Sequence, residues 1–345
     1  MKKYLLLPLC LMAMMTAQAQ QVIVVKKSDA NSLLEAVETA NKQNADKQAE
    51  RLYILIPDGF YDLGETVLTK ITGHNIALIG QSMEGTVIQN KPDVKNEGIS
   101  KTGTLVNRGT NLYLQDLTLQ NALDYYGAGF AGRAVCLQDK GNRTICKRVR
   151  MLSYQDTYYS DNEASQFYFE DSEIHGTVDF ICGAGDVFFD RCRIVTERRS
   201  ADGKGRNVIA APRTRDTKWG YIFNRCTIEN VASPFVYARA WKNTPHCIWL
   251  HTTLLSPEKL EPQRFDSRGM GTCKADFLEY GTVDKEGRWL MPTTHVMTFT
   301  LGNDSHTQET VLTKKQAKRY KLKHVFPDWQ PKKVAKRLEK QARRL

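Results

Sequence analysis

Phe188-Phe189-Asp190-Arg191-Cys192-Arg193-Ile194 decides the fold, because the chain writes the same pattern again. Ile222-Phe223-Asn224-Arg225-Cys226-Thr227-Ile228 repeats it. Tyr113-Leu114-Gln115-Asp116-Leu117-Thr118-Leu119 and Tyr168-Phe169-Glu170-Asp171-Ser172-Glu173-Ile174 are earlier copies, and 145–151 and 249–255 are weaker ones. Each copy has apolar residues, a polar pair, then alternation. The copies begin roughly 20 to 35 residues apart, a period that marks a solenoid. Their content is strand-like, so the expected fold is all-β: a parallel β-helix in which each coil stacks on the previous one. The polar pair is expected at a bend between sheets. A β-sandwich would need antiparallel hairpins, and the Asn-Gly and Asp-Gly turns that mark them are mostly absent.

Outward from the repeats, Leu33, Leu34, Val37 and Ala40 recur with a helical period, which predicts a helix over 28–43 capped by Asp29 or Asn31. The run from Tyr53 to Gly59 reads as a buried strand ending in a turn. Thr313-Lys314-Lys315-Gln316 is a capping-box pattern that opens a short helix to about Lys321. Pro327 and Pro331 are expected to break the stretch after that helix. Residues 332–345 read as a basic tail, helical or frayed. At the other end, Met1-Lys2-Lys3, the apolar run Tyr4 to Met15 and Ala17-Gln18-Ala19 read as a secretory leader over 1–19, cleaved near Ala19. The apolar run is too short for a membrane span. The expected organisation is thus leader 1–19, one β-helix domain 20–331 and tail 332–345, in a product that is secreted or periplasmic.

The chain of 345 residues carries a formal charge of +11, of which Lys2 and Lys3 would leave with the leader. A basic exported protein suits a polyanion: acidic polysaccharide, nucleic acid or an anionic surface. Much of the excess lies in the tail, so charge alone says little about substrate. Outside the leader there are seven cysteines, Cys136, Cys146, Cys182, Cys192, Cys226, Cys247 and Cys273. Their spacing fits no zinc template. Most read as small buried hydrophobes, although an oxidising compartment would allow one or two disulfides. No paired histidine motif suggests a metal. No G-x-S-x-G elbow suggests a serine esterase.

Three segments carry chemistry: Gln155-Asp156-Thr157, Gly176-Thr177-Val178-Asp179-Phe180-Ile181 and Ala238-Arg239-Ala240-Trp241. Two carboxylates in one cleft can divide acid and nucleophile roles. An arginine can hold one of them ionised and aimed. A tryptophan can stack on a sugar.

In these segments the chain resembles the pectin methylesterases (pectinesterases), from about Val22 to about Pro331. Tyr154-Gln155-Asp156-Thr157-Tyr158-Tyr159 is similar to that family's YQDTLY, residues 176–183 to its GTVDFIFG, and residues 237–242 to its LGRPWK. Asn207 to Ala211 and Phe277 to Tyr280 match weaker family segments. The resemblance implies a right-handed parallel β-helix, to which the residue patterns above add short N- and C-terminal helices. It implies Asp179 as nucleophile on a methyl ester of galacturonate, and Asp156 as general acid and then base. It also implies Gln155 as oxyanion donor and Arg239 as the group that orients Asp179. Trp241, Phe180 and Tyr158 would line sugar subsites. No cofactor or metal is implied. The implied partner is pectin (homogalacturonan) rather than nucleic acid, and a monomer is expected because a capped β-helix hides its own ends.

One departure stands out. Where the family has QAVAL, this chain has Arg133-Ala134-Val135-Cys136-Leu137. Arg133 could donate to the oxyanion with full charge. It could instead pair with a catalytic carboxylate, or hold a free carboxylate of the substrate. Ala238 and Ala240 also replace the Gly and Pro of the third motif. Two other readings stay open: an esterase acting on a differently decorated pectic region, and a non-catalytic polysaccharide-binding solenoid. A calcium-dependent lyase on the same fold would need clustered carboxylates, which the sequence lacks.

Overall fold

Each repeat copy folds as two strand segments that meet at one residue in the left-handed region. In the copy at 188–194, strand Asp186–Asp190 ends, Arg191 turns the chain with φ 55°, and strand Arg193–Thr196 follows. Asp116, Arg148, Asp171, Arg225 and His251 hold the equivalent place with φ between 49° and 56°. The second member of the polar pair is therefore the bend itself. Its side chain stays outside while the flanking apolar residues point in.

The computed structural model describes residues 21–345 except 66–68, 94, 96–97, 129–131 and 216–217. The expected leader lies outside the described residues. The strands form three parallel faces. The first face runs from Gln21–Val24 through Leu52–Ile56, Ile76–Gly80, Gln166–Glu170 and Tyr221–Asn224 to Asp276–Tyr280. The second face runs from Gly59–Asp62 through Glu173–Gly176 and Arg193–Thr196 to Val283–Asp284. Strands Tyr113–Asn121 and Thr144–Leu152 serve both faces, bending at Asp116 and Arg148. The third face is a separate sheet from Thr69–Ile71 to Phe235–Ala238, its neighbours paired in chain order. Each turn of chain visits all three faces and returns one rung further along. This is a right-handed parallel β-helix, the hand that parallel crossovers almost always take.

Parallel register stacks like on like through the interior. Phe169, Phe189, Phe223 and Trp249 pair rung by rung. Their ring centroids lie 4.8, 4.5 and 3.8 Å apart, and the last two steps are nearly coplanar at 5° and 4°. Tyr237 stacks on Trp249 from the third face at 4.6 Å. Both open ends are covered. Helix Ala30–Gln43, capped by Asp29 Oδ1 accepting from Ser32 N at 3.0 Å, buries Leu33, Ala36, Val37 and Ala40 over one end. The antiparallel hairpin Val296–Leu301 and Asp304–Glu309 lays Met297 and Phe299 over the other.

The chain then runs back across the outside of the first face. Thr313 and Gln316 form the capping box, and the helix Lys314–Ala317 continues as a 3-10 turn to Tyr320. Pro331 does not act as a breaker. It opens the last helix, Pro331–Ala342, at a position where a missing N–H costs nothing. Ala335 and Leu338 of this helix are buried on Tyr53, Tyr113 and Ile145. Glu339 receives Lys147 and Arg148, each at 3.0 Å, and Tyr53 Oη donates to Gln341 at 3.0 Å. All seven cysteines are free and buried, so no disulfide forms among them. Burial pushes the Cys136, Cys146, Cys182, Cys192 and Cys247 thiols up, which removes thiolate character.

On the second face, His175 sits between two glutamates: Nδ1 is 2.6 Å from Glu197 and Nε2 is 2.7 Å from Glu173. Burial disfavours its charge, but the two carboxylates outweigh burial and raise its pKa. A raised histidine stabilises fully below its unfolded value near 6.5, and that stabilisation disappears as pH rises through the folded value. The urea midpoint should therefore fall between pH 6 and 9 in the native protein and fall less in His175→Gln; equal slopes would remove the histidine from the account. Trp249→Ala should cost about 3–5 kcal/mol, measured by urea unfolding. A loss under about 1 kcal/mol would mean the stacked rings are not close-packed.

Candidate active site

The site lies on the outside of the third face, where two rungs carry aspartates at irregular backbone positions. Asp156 precedes strand Tyr158–Ser160 with φ 59°, and Asp179 lies in strand Val178–Gly183 with φ 52°. The pairing of that strand with Asn207–Pro212 shifts register between Val178 and Ile181. A bulge of this kind re-aims a side chain, and left-handed backbone at a bulky site marks strain held by its surroundings. Asp156 N donates to Val178 O at 3.4 Å, so the two aspartates occupy neighbouring rungs. Gly176 is obligatory here, because a Cβ would run into the Phe180 ring and Tyr154 O.

Arg239 follows strand Phe235–Ala238 and grips Asp179 with two parallel hydrogen bonds, Nε to Oδ1 at 2.8 Å and Nη2 to Oδ2. This fork fixes the carboxylate plane. Behind it, Asp266 faces Arg239 and is held by Arg206, which also reaches Glu261 at 2.9 Å. Asp156 instead accepts a weak thiol contact, from Cys182 Sγ at 3.7 Å.

The two carboxyls differ accordingly. Burial leaves the Asp179 pKa raised, with Arg239 holding the rise down through charge and hydrogen bonds. Burial and then the neighbouring Asp179 charge push Asp156 well above the usual carboxylate range, with Arg133 opposing. The pair thus loses its first proton at Asp179 and keeps the second on Asp156. One ionised and one protonated carboxyl side by side can deliver a nucleophile and an acid together.

Gln155 and Arg133 pair as an isolated bridge on consecutive rungs, both half-buried, next to Asp156. Trp241 is half-buried and packs on Tyr159 at 6.2 Å between ring centroids. Arg213 lies over both rings, 5.9 Å from Tyr159 and 5.6 Å from Trp241, and is tied to Asp161 at 2.7 Å. Beyond the other edge of the site, Tyr125 stacks on Tyr154 at 4.8 Å with 5° between planes, and Tyr126 meets Tyr154 edge-on.

Two expected subsite residues are displaced. Phe180 and Tyr158 are both 0% exposed and belong to the interior core, where no ligand on the outer face reaches them. Tyr158 and Ile181 pair across neighbouring rungs as inward residues, and Tyr159 and Cys182 pair as outward ones. The outward aromatic is Tyr159, not Tyr158. Arg213, Cys182 and the Tyr125–Tyr126–Tyr154 cluster join the site without having been expected there. Cys182 carried a signal, since it replaces an aromatic in a segment otherwise close to its family counterpart. Arg213 carried none. Among the described residues, no group of three or more His, Cys, Asp or Glu side chains is placed to hold a metal ion, and no helix is long and apolar enough to cross a membrane.

Comparison with known proteins points the same way. The pectinesterase family model matches residues 21–296. A probable pectinesterase of Arabidopsis thaliana is 33% identical over 218 residues, 62% of this chain and 41% of the relative. Pectinesterase 3 of Solanum lycopersicum is 31% identical over 208 residues, 60% and 35% of the two chains. The chain spans less than half the length of either relative. Pectin methylesterase PemA from Erwinia chrysanthemi shares the fold with a TM-score of 0.68 at 22% identity, over 91% of this chain and 99% of that one. A pectin methylesterase crystallised with a hexasaccharide gives a TM-score of 0.69 at 23% identity, with the same two coverages. These solved structures show the fold. By the family match over 21–296, the chain belongs to the pectinesterase family.

Proposed function

We propose that this protein is an exported esterase that hydrolyses methyl esters of galacturonate in pectin, releasing methanol. The observation that carries the reading is the divided carboxyl pair: Asp179 gripped by the Arg239 fork, and Asp156 one rung away, its acidity suppressed by burial and by its neighbour's charge. Family membership and a related fold crystallised with a hexasaccharide support a carbohydrate ester as substrate.

In this mechanism the Asp179 carboxylate attacks the ester carbonyl carbon. Charge builds on the carbonyl oxygen, where the Gln155 amide donates and the Arg133 guanidinium adds positive charge. The tetrahedral species collapses as Asp156 gives its proton to the departing methoxide. That leaves methanol and an Asp179 anhydride. The now ionised Asp156 takes a proton from water, the resulting hydroxide attacks the acyl carbon, and Asp179 leaves as carboxylate. The product is a free galacturonic acid group, which then gives its proton to solvent, and both aspartates return to their starting states. Arg239 is needed because a carboxylate nucleophile must be ionised and aimed. Half-buried Trp241 on one side, and half-buried Tyr154 with exposed Tyr126 on the other, offer flat apolar faces to sugar rings.

Asp179→Asn keeps the shape and tolerates left-handed backbone, so methanol release from highly methylated pectin should fall by at least about 10³ with the circular dichroism spectrum intact. Full activity would remove Asp179 from the nucleophile role. Arg133 lowers the Asp156 pKa, so Arg133→Gln should raise it. Activity needs Asp156 protonated, so the alkaline limb of the kcat–pH profile should move up by as much as about 1 unit. An unmoved or acid-shifted limb would show that Arg133 does not act through Asp156.

A further inference from the structure

The ion-pair pattern along the outside of the first face changes abruptly at one rung. Bend residue Arg148 is bound by Asp116 and Glu339, and Lys147 by Glu170 and Glu339. Bend residue Arg191 is surrounded by Glu170, Asp171 and Asp190, and Lys332 also reaches Asp190. At the next bend the carboxylates stop. Arg225, and Lys314, Lys318 and Lys321 from the returning segment, have no carboxylate partner among the described residues. Yet these four cations line one cavity of about 430 Å³ between the β-helix wall and the segment that crosses it, together with Asp190, Arg191 and Lys332, whose charges are already paired with one another. Its wall includes Leu250, Tyr280, Tyr320 and Leu322.

Solvated lysines on a convex surface need no explanation. Four uncompensated cations around a concavity repel one another, and a concave low-dielectric wall focuses their field. The cavity is of the size of ordinary ligand sites. Its apolar and aromatic wall beside charged donors suits a molecule with both flat apolar faces and carboxylates. A free inorganic anion would use the charges and leave the rings idle.

We propose that this cavity is a second carbohydrate site that binds carboxylate-bearing polysaccharide, remote from the Asp156–Asp179 pair. The choice of an acidic sugar chain rests on the esterase reading, because the product of that reaction is a chain of free uronates. A site of this kind would hold the enzyme on de-esterified stretches while the third face works on neighbouring methylated ones.

The test is a calorimetric titration of the mature full chain with a short, fully de-esterified oligogalacturonate, beside inorganic phosphate and a neutral oligosaccharide. The combined variant Arg225→Ser, Lys318→Ser, Lys321→Ser removes only exposed side chains, so its fold should persist. Wild type should show a salt-sensitive binding event that the variant weakens by at least about tenfold, with methanol release from a short methylated oligomer unchanged. Equal binding by variant and wild type would overturn the site. Displacement of the chain by equimolar phosphate would overturn the sugar assignment in favour of a free-anion site. Chain binding that depends on these three residues in a preparation releasing no methanol would support the site and defeat the esterase reading alone.

Discussion

Parallel hydrogen bonding in register between successive coils is the constraint on which everything else in this molecule rests. A strand in such a sheet cannot slip by one residue without turning its interior side chains outward. Once one coil is placed, the next inherits its pattern, so phenylalanine lies on phenylalanine and a bend residue on a bend residue. The Phe169–Phe189–Phe223–Trp249 column and the row of left-handed bends are two expressions of that rule.

The same rule explains how a site can be assembled from residues so far apart in the chain. Gln155 with Asp156, then Asp179, then Arg239 come from different coils of the third face and meet because rungs are one hydrogen bond apart. Stacking alone would give a flat column. The site exists because two rungs depart from regular geometry at Asp156 and Asp179, swinging their carboxyls out of alternation. Regular backbone supplies proximity and irregular backbone supplies aim. Arg239 then separates the protonation states of two otherwise similar acids.

The bends and the coil are legible in the sequence because each copy marks its own turn with a polar pair, a local signal repeated often enough to be seen. Asp156, Asp179, Arg239 and Trp241 are legible as motifs. Phe180 and Tyr158 mislead because a motif match says which residue types are present and not which face of the coil each side chain takes. Pro331 has the look of a breaker, although a proline at the first turn of a helix begins it. The seating of the last helix on Tyr53 and Tyr113 is not legible at all. That contact joins segments hundreds of positions apart, and an amphipathic basic helix looks the same whether it lies on solvent or on a sheet.

That seating has a consequence for the order of events during synthesis. Tyr53, Tyr113, Ile145, Tyr168 and Phe188 leave the ribosome long before the helix that covers them, the Tyr53–Gln341 hydrogen bond alone spanning 288 positions. Until helix Pro331–Ala342 appears, a nascent β-helix presents an uncovered apolar wall. Contacts of such separation form late, and exposed surface of this kind invites self-association. A chain lacking helix Pro331–Ala342 would therefore be complete in every coil yet adhesive along one side.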